Sequence, residues 1–199
     1  VEIVEDVDPY EEAKIRILNG GHTGLAYLGA LAGYATFDEA MRDNDLRAHF
    51  DNLENHEVLP GLTLALPFDK QAYSARVAER FANRAIADAL ERICMDGFAK
   101  FPIFVRPTLE SCLQQGITPH FCYASIASWY VYARRSMHSE VGIPYHEPNW
   151  HLLAPMLAPG AEMQFATSSL LWGDLSTMYP EFAGDIVQSI QEMDQKWPV

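Results

Sequence analysis

The 199-residue sequence predicts a single all-α domain that covers residues 1–199. Three observations favour this fold class. Apolar residues recur at helical spacing over most of the chain, Pro and Gly stand where helices are expected to begin or end, and no segment alternates apolar and polar residues as a half-buried strand does. Hydrophobic residues make up 49% of the chain, which is enough for a sizeable buried core.

The first predicted helix begins at Asp8-Pro9, where Asp8 can cap the helix and Pro9 suits its first position. It continues to Gly33 through an interruption at Gly20-Gly21, where two adjacent glycines indicate a kink or a close approach to the backbone. Further helices are predicted over about 37–58, from Asp69 to about 82, and over 85–95, where Asp96-Gly97 ends the run.

In the second half, Pro102 and Pro107 frame a predicted helix that reaches Gly116. Thr118-Pro119 then predicts the start of an apolar helix, which ends at about 135 and forms the centre of the core. Short helices joined by ordered loops are predicted over 139–180, and a final amphipathic helix over 181–196.

The composition argues against several classes of partner. A formal net charge of −13, with no run of Lys and Arg, makes extended contact with nucleic acid or an anionic membrane surface unfavourable. No apolar segment approaches the roughly 18 residues of a membrane span. Cys94, Cys112 and Cys122 lie in apolar surroundings without metal-ligand spacing, which indicates reduced thiols in a cytoplasmic protein.

The segment from Lys14 to Tyr34 carries most of the functional information. On a helical wheel, Glu11, Lys14, Asn19 and His22 fall within an arc of roughly 140°, so they can converge on one cleft. A buried lysine loses its proton readily and can act as a general base, while an amide and an imidazole can bind a reacting oxygen. From the spacing alone, a solvated lysine, a helix-breaking asparagine and a core histidine are the favoured interpretation.

The pattern Lys14-x4-Asn19-x2-His22 resembles the signature of the polyol-specific long-chain dehydrogenases, the family that includes mannitol 2-dehydrogenase and arabinitol 4-dehydrogenase. The resemblance covers about residues 9–110, through Glu57-Val58-Leu59-Pro60, Tyr73, Arg80-Phe81-Ala82-Asn83 and the segment from Arg92 to Pro102. It departs at Gly21, where the family more often has a small hydroxyl residue, and at Arg84, where proline is common.

The resemblance implies an enzyme that oxidises a secondary alcohol of a linear polyol to a ketone with NAD or NADP and without a metal ion. Lys14 then corresponds to the general base that takes the hydroxyl proton as hydride leaves. Asn19 corresponds to the residue that stabilises the developing charge on the reacting oxygen, and His22 to the residue that binds and orients it.

Three further roles are implied by the resemblance. Glu11 corresponds to a carboxylate that helps proton exchange between the lysine and solvent, and Arg92 and Lys100 to residues that bind more distant substrate hydroxyls. Each has a structural alternative. Glu11 can stabilise a helix N-terminus, Arg92 can form a helix ion pair with Glu91 or Asp88, and Lys100 can be a solvated loop residue.

The sequence contains no strand-turn-helix fingerprint for a dinucleotide. In the family, a Rossmann-like N-terminal domain precedes the helical one, and the resemblance implies that it binds most of the nicotinamide nucleotide. We therefore expect these 199 residues to be the C-terminal substrate-binding domain of a two-domain dehydrogenase, inactive by itself.

Other functions stay open. A hexuronate reductase or a phosphorylated-polyol dehydrogenase of the same superfamily would share the pattern, since Arg92 and Lys100 can also receive a carboxylate or phosphate. A non-catalytic helical interaction module is less favoured, because aromatic residues at helical spacing are more often core than surface. A metal hydrolase is disfavoured because the seven histidines show no metal-ligand spacing.

Overall fold

The computed structural model describes residues 4–197 and contains no β-strand in that range, only an isolated bridge between Thr36 and Ala89. The all-α prediction is confirmed. No helix within these residues combines the length and the apolar composition that a membrane span needs.

A long helix opens the described chain, and its central part has π geometry. Helix α1 (Asp8–Ala13), the π-helix π1 (Lys14–Gly20) and α2 (Gly21–Leu31) follow one another without a break. Gly33, with a φ of 86°, lies just beyond the end. The prediction that Asp8 caps this helix is wrong, because Asp8 is itself the first helical residue and Val7 stands at the cap position.

The glycine pair does not interrupt the helix, because Gly20 and Gly21 both have right-handed helical φ and ψ. The predicted close approach is confirmed. A Cβ added at Gly20 would lie 2.9 Å from the Phe104 carbonyl oxygen, and one added at Gly21 would lie 2.7 Å from Glu54 Oε1. Glycine is required here because other chain segments touch the helix backbone.

The predicted helix over 37–58 is present in pieces. It consists of α3 (Phe37–Ala40), α4 (Asn44–Leu53) and a second π-helix, π2 (Glu54–Val58), which leads into α5 (Leu59–Gly61). The break at 41–43 has a local cause, since the Asp43 carboxylate accepts the Asp45 N–H at 2.9 Å and starts α4.

Helix α6 (Lys70–Phe81) confirms the next prediction, and Asp69 caps it by accepting the Ala72 N–H at 2.9 Å. The helix predicted over 85–95 is wrong, because only α7 (Leu90–Ile93) forms there. Asn83 starts a turn instead, since its side chain accepts the Ala85 N–H at 2.9 Å.

The preceding helix ends before Asp96-Gly97 as predicted, but the prediction that the next helix begins at Pro102 is wrong. Helix α8 (Gly97–Phe104) starts at Gly97 and contains Pro102, and α9 (Arg106–Gln114) follows it. The start of α8 depends on a distant residue, because Glu147 Oε2 accepts the Phe98 N–H at 3.0 Å.

The remaining helix predictions are confirmed. Helix α10 (His120–Ser136) is the central core helix and packs against α2 and α15 (Phe182–Lys196). Between α10 and α15 lie α11 (Trp150–Leu153), a 3-10 helix (Ala154–Leu157), α12 (Glu162–Ala166), α13 (Ser169–Trp172) and α14 (Leu175–Met178).

The core is strongly aromatic. Trp129, Tyr130, Tyr132 and Trp172 are completely buried, so they are unavailable as an interaction surface. Trp150 is partly buried against the same core. Cys94, Cys112 and Cys122 are buried and free, and burial raises the pKa of the Cys112 thiol to about 12.

Glu57 on π2 determines where α10 begins. Its carboxylate is buried and accepts the N–H groups of Phe121 at 2.7 Å and Cys122 at 2.8 Å. These are among the first backbone donors of α10, which have no partner within the helix. A side chain 64 positions away along the chain therefore caps the central helix.

We expect Gly20→Ala to destabilise the protein by roughly 1–3 kcal/mol, because the new methyl group would meet a backbone carbonyl that cannot move aside alone. Gly184→Ala in α15 is the matched control. A Cβ there has no neighbour within 4 Å, so the higher helix propensity of alanine should stabilise the protein by about 1 kcal/mol. Urea unfolding of the two variants should give changes of opposite sign, and equal effects would contradict the packing argument.

Candidate active site

The π geometry of π1 changes which residues share a face of the first helix. Lys14 begins π1 and Asn19 lies near its end, five residues later. Five residues correspond to a rotation of about 140° in an ideal α-helix. In a helix with i→i+5 hydrogen bonds, residues five apart take the stacked relation that residues four apart have in an α-helix. The π-helix therefore moves Lys14 and Asn19 towards the same side.

Asn19 and His22 face a cavity of about 230 Å³ beside the junction of π1 and α2. Phe37 on α3, Phe81 at the end of α6, and Arg92 on α7 also line it. The structure thus brings together three of the residues predicted from the sequence, Asn19, His22 and Arg92.

His22 is held by aromatic contacts. Its ring stacks on Phe81 at a centroid distance of 4.7 Å and meets Phe37 edge-on at 4.3 Å. Its Nε2 is buried and has no hydrogen-bond partner within residues 4–197. One ring nitrogen of His22 thus lacks a hydrogen-bond partner in the described residues and is shielded from solvent.

The imidazole of His22 is neutral at pH 7. Its pKa is lowered from 6.5 to about 4, mainly by burial; Asp88 raises the pKa, and the positive charges of Arg92, Lys100 and Arg80 lower it. A neutral imidazole presents one donor and one acceptor, so it can either donate a hydrogen bond to a hydroxyl group or accept one from it.

The position of Arg92 is consistent with both roles considered for it, a helix ion pair and a contact with a ligand in the cavity. Its guanidinium donates to Asp88 Oδ1 at 2.6 Å, which is the helix ion pair expected as the structural alternative. Its side chain is 64% exposed and also lines the cavity beside Asn19 and His22. The ion pair orients Arg92 without burying it.

Lys100 lies behind α7. Its Nζ donates to the Ile93 carbonyl oxygen at 2.8 Å, and burial lowers its pKa. Lys100 does not line the cavity, although its positive charge lowers the pKa of His22. The structure therefore places it near the cavity but with one donor already engaged.

Lys14 and Glu11 are both exposed, and neither makes a side-chain hydrogen bond or ion pair within residues 4–197. Lys14 is therefore not covered by any other part of the described chain. Lys14 shares the π1 side with Asn19 but lies outside the cavity lining, and Glu11 stands in the first turn of α1. The position of Glu11 fits its alternative role at a helix N-terminus.

Two charged residues of the cavity have no role in the sequence prediction. Arg80 and Asp88 line it from the end of α6 and from the turn before α7. Arg80 belongs to the Arg80-to-Asn83 segment, on which the family resemblance partly rests. The resemblance therefore included Arg80 but gave it no role. For Asp88, the only indication in the sequence is that it lies four residues before Arg92.

The cavity wall between α6 and α7 contains a strained backbone. Ala87 has a φ of 45°, in the left-handed region that costs a residue with a Cβ roughly 1–2 kcal/mol. The chain just after Ala87 is fixed, because Phe37 N–H donates to the Asp88 oxygen at 2.9 Å and Leu90 N–H to the Ala35 oxygen at 3.0 Å. Such strain is often found at functional sites.

An all-helical domain that presents an amide, a neutral imidazole and a guanidinium to one partly open cavity has the features of a substrate-binding domain. The family model described as the mannitol dehydrogenase C-terminal domain matches residues 6–194. The chain belongs to this family.

Relatives with assigned names agree with this. D-arabinitol 4-dehydrogenase of Klebsiella pneumoniae is 35% identical over 181 residues, and the alignment covers 88% of this chain and 39% of the relative. The enzyme of the same name from Ralstonia nicotianae is 44% identical over 118 residues, covering 59% of this chain and 25% of the relative.

A solved structure of Pseudomonas fluorescens mannitol 2-dehydrogenase in a ternary complex with NAD and D-mannitol has the same fold. It superposes with a TM-score of 0.89 at 29% identity, covering 98% of this chain and 40% of that one. The chain thus spans less than half the length of the relatives named here.

His22 should make the stability of the protein depend on pH. The folded state holds the His22 pKa at about 4, below the value near 6.5 of an unfolded chain. Its contribution is therefore fully present above pH 6.5 and is lost as the pH falls towards 4, by roughly 3 kcal/mol in all.

An NMR titration of the imidazole resonances should place the His22 midpoint near pH 4. In urea unfolding, His22→Gln should reduce the loss of stability between pH 7 and 5. The loss should not vanish, because burial also lowers the pKa of His49 to about 4. A His22 midpoint near 6.5 would contradict the burial argument.

Proposed function

We propose that this chain is the substrate-binding domain of a nicotinamide-dependent polyol dehydrogenase, which oxidises a secondary alcohol of a linear polyol to a ketone. One observation carries the proposal, namely the convergence of Asn19, neutral His22 and Arg92 on a single cavity. Membership of the mannitol dehydrogenase C-terminal family supports it, as does the neighbouring structure described with NAD and D-mannitol.

In this proposal, Asn19 and His22 bind the oxygen that reacts. The amide of Asn19 donates to the oxygen as negative charge develops on it, which favours the transition state over the bound alcohol. His22 is neutral and held between two phenyl rings, so it orients the hydroxyl without adding a positive charge. Arg92 donates to a hydroxyl farther along the substrate.

Lys14 is the proposed general base that takes the hydroxyl proton. It must first lose its own proton, and burial favours that loss. Lys14 is exposed in the described residues, so a second domain packed over this side of π1 would provide the burial. Glu11, one turn earlier on the same helix, is placed to exchange the proton with solvent.

The nicotinamide nucleotide, NAD or NADP, accepts the hydride when it is bound. Residues 4–197 contain no strand and hence no glycine-rich strand-turn-helix unit to hold its phosphates. We therefore assign nucleotide binding mainly to an N-terminal Rossmann-like domain, which accords with the greater length of the relatives. This chain would contribute the polyol side of the joint active site, without a metal ion.

A second candidate substrate class has its own supporting observation. Three cations, Arg80, Arg92 and Lys100, lie close enough to lower the pKa of His22, while Asp88 is the one anion that acts in the opposite sense. An excess of positive charge would also suit a hexuronate or a phosphorylated polyol.

Substrate preference tests the proposal directly. The full-length protein should oxidise at least one of arabinitol, mannitol, sorbitol and xylitol with NAD or NADP, and dialysis against EDTA should leave the rate unchanged. A higher kcat/KM for the reduction of a hexuronate, or for a phosphorylated polyol, would favour the second candidate. Activity with none of these compounds would refute both.

Replacement of Lys14 tests the general base. In the full-length protein, Lys14→Ala should lower kcat for polyol oxidation by about 10²- to 10⁴-fold, because proton transfer loses its acceptor. The KM for the polyol should change little, and the rise of kcat with pH should disappear. Lys196→Ala, an exposed position at the far end of α15, is the matched control and should retain full activity. A Lys14→Ala enzyme with the wild-type rate and pH profile would exclude this role.

A further inference from the structure

Arg80 occupies a distinctive position at the C-terminal end of α6. Its neighbour Phe81 stacks directly on His22, and Arg80 itself lines the same cavity as Asn19 and His22. Its positive charge is one of those that lower the pKa of His22. The guanidinium therefore lies beside the cavity, on a different element from Arg92.

The three cations around His22 differ in how far their donors are already engaged. Arg92 is paired with Asp88 at 2.6 Å, and Lys100 donates to the Ile93 carbonyl oxygen at 2.8 Å. Arg80 makes no side-chain hydrogen bond and no ion pair within residues 4–197. Its five N–H donors are therefore unengaged in this part of the chain.

An arginine near a helix C-terminus often only stabilises the helix dipole from solvent. Arg76, one turn earlier on α6, is exposed like Arg80 but does not line the cavity. Arg80 differs in that it adjoins the cavity. A guanidinium presents its donors as a planar fork, which can bind two neighbouring oxygen atoms at once, and a linear polyol carries such oxygens on adjacent carbons.

We infer that Arg80 is a further substrate-binding residue, which contacts hydroxyl groups of the polyol away from the reacting carbon and so contributes to selection by chain length. The inference rests on the proposed function, in which the reacting oxygen lies against Asn19 and His22. Arg80 makes this contact equally in the ground state and the transition state, so it acts on KM rather than on kcat.

The test uses the full-length protein with Arg80→Gln, Arg80→Lys and the matched control Arg76→Gln. Arg80→Gln should raise the KM for five- and six-carbon polyols by roughly tenfold or more, as expected for a lost charge-assisted hydrogen bond. The kcat and the KM for the nucleotide should change by less than about twofold. Arg80→Lys, which keeps the charge without the fork, should fall between Arg80→Gln and wild type, and Arg76→Gln should match wild type.

The dependence of activity on the chain length of the polyol distinguishes substrate binding from a structural role, because a purely structural role of Arg80 would not change it. The kcat/KM ratio between a six-carbon and a four-carbon polyol should fall in Arg80→Gln, because only the longer substrate reaches Arg80. If wild type oxidises polyols and Arg80→Gln keeps the wild-type KM and ratio, the inference is wrong while the proposed function stands. If wild type oxidises no polyol, both are wrong.

Discussion

The buried guanidinium of Arg16 fixes the helix on which the rest of the site depends. Arg16 lies in the middle of π1 and is only 3% exposed. Its Nε donates to Thr108 Oγ1 at 2.9 Å, its Nη2 to the Gly61 oxygen at 3.1 Å, and its Nη1 lies 3.5 Å from Glu12. Removing a charge from water costs several kcal/mol unless partners replace the solvent. Here the replacement partners come from other elements, so the charge is satisfied only when π1 is packed against α5 and α9.

This anchoring explains how an unusual helix geometry can persist. A π-helix is rare, and in isolation an α-helix would replace it. Arg16 holds one side of π1, while the close contact of Gly20 with the Phe104 carbonyl holds its end. The consequence appears on the opposite side, where Asn19 reaches the cavity and shares a side with Lys14.

Sequence signals predicted the parts of the fold whose causes are local. Helix α6 was predictable because its cap, Asp69, adjoins it. Helix α8 was not, because its first backbone donors are satisfied by Glu147, which is distant in sequence. The turn at Ala87 was missed for a similar reason, since contacts with the segment around Phe37 hold its left-handed backbone. Neither contact can be predicted from the residues adjacent to the segment that it holds.

The site residues also divide into those whose position follows from local sequence and those whose position depends on the packing of distant segments. Asn19 and His22 lie on one helix, so their joint position follows from spacing, and the family resemblance identified Arg92. The arrival of Arg80 beside them depends on how α6 packs against α2, which no local pattern encodes. The exposure of Lys14 was also beyond sequence reasoning, because burial depends on what covers π1.

The two groups that the proposed reaction needs differ in where their protonation state is determined. His22 is made neutral within the described residues, mainly by burial and to a smaller extent by nearby cations. Lys14 stands on the same continuous helix but is exposed, and no other part of the described residues covers it. A substrate-binding domain built this way can bind the hydroxyl before it can deprotonate it. The base would become effective only when a second domain, carrying the hydride acceptor, covers π1, and this would couple proton removal to the presence of the nucleotide.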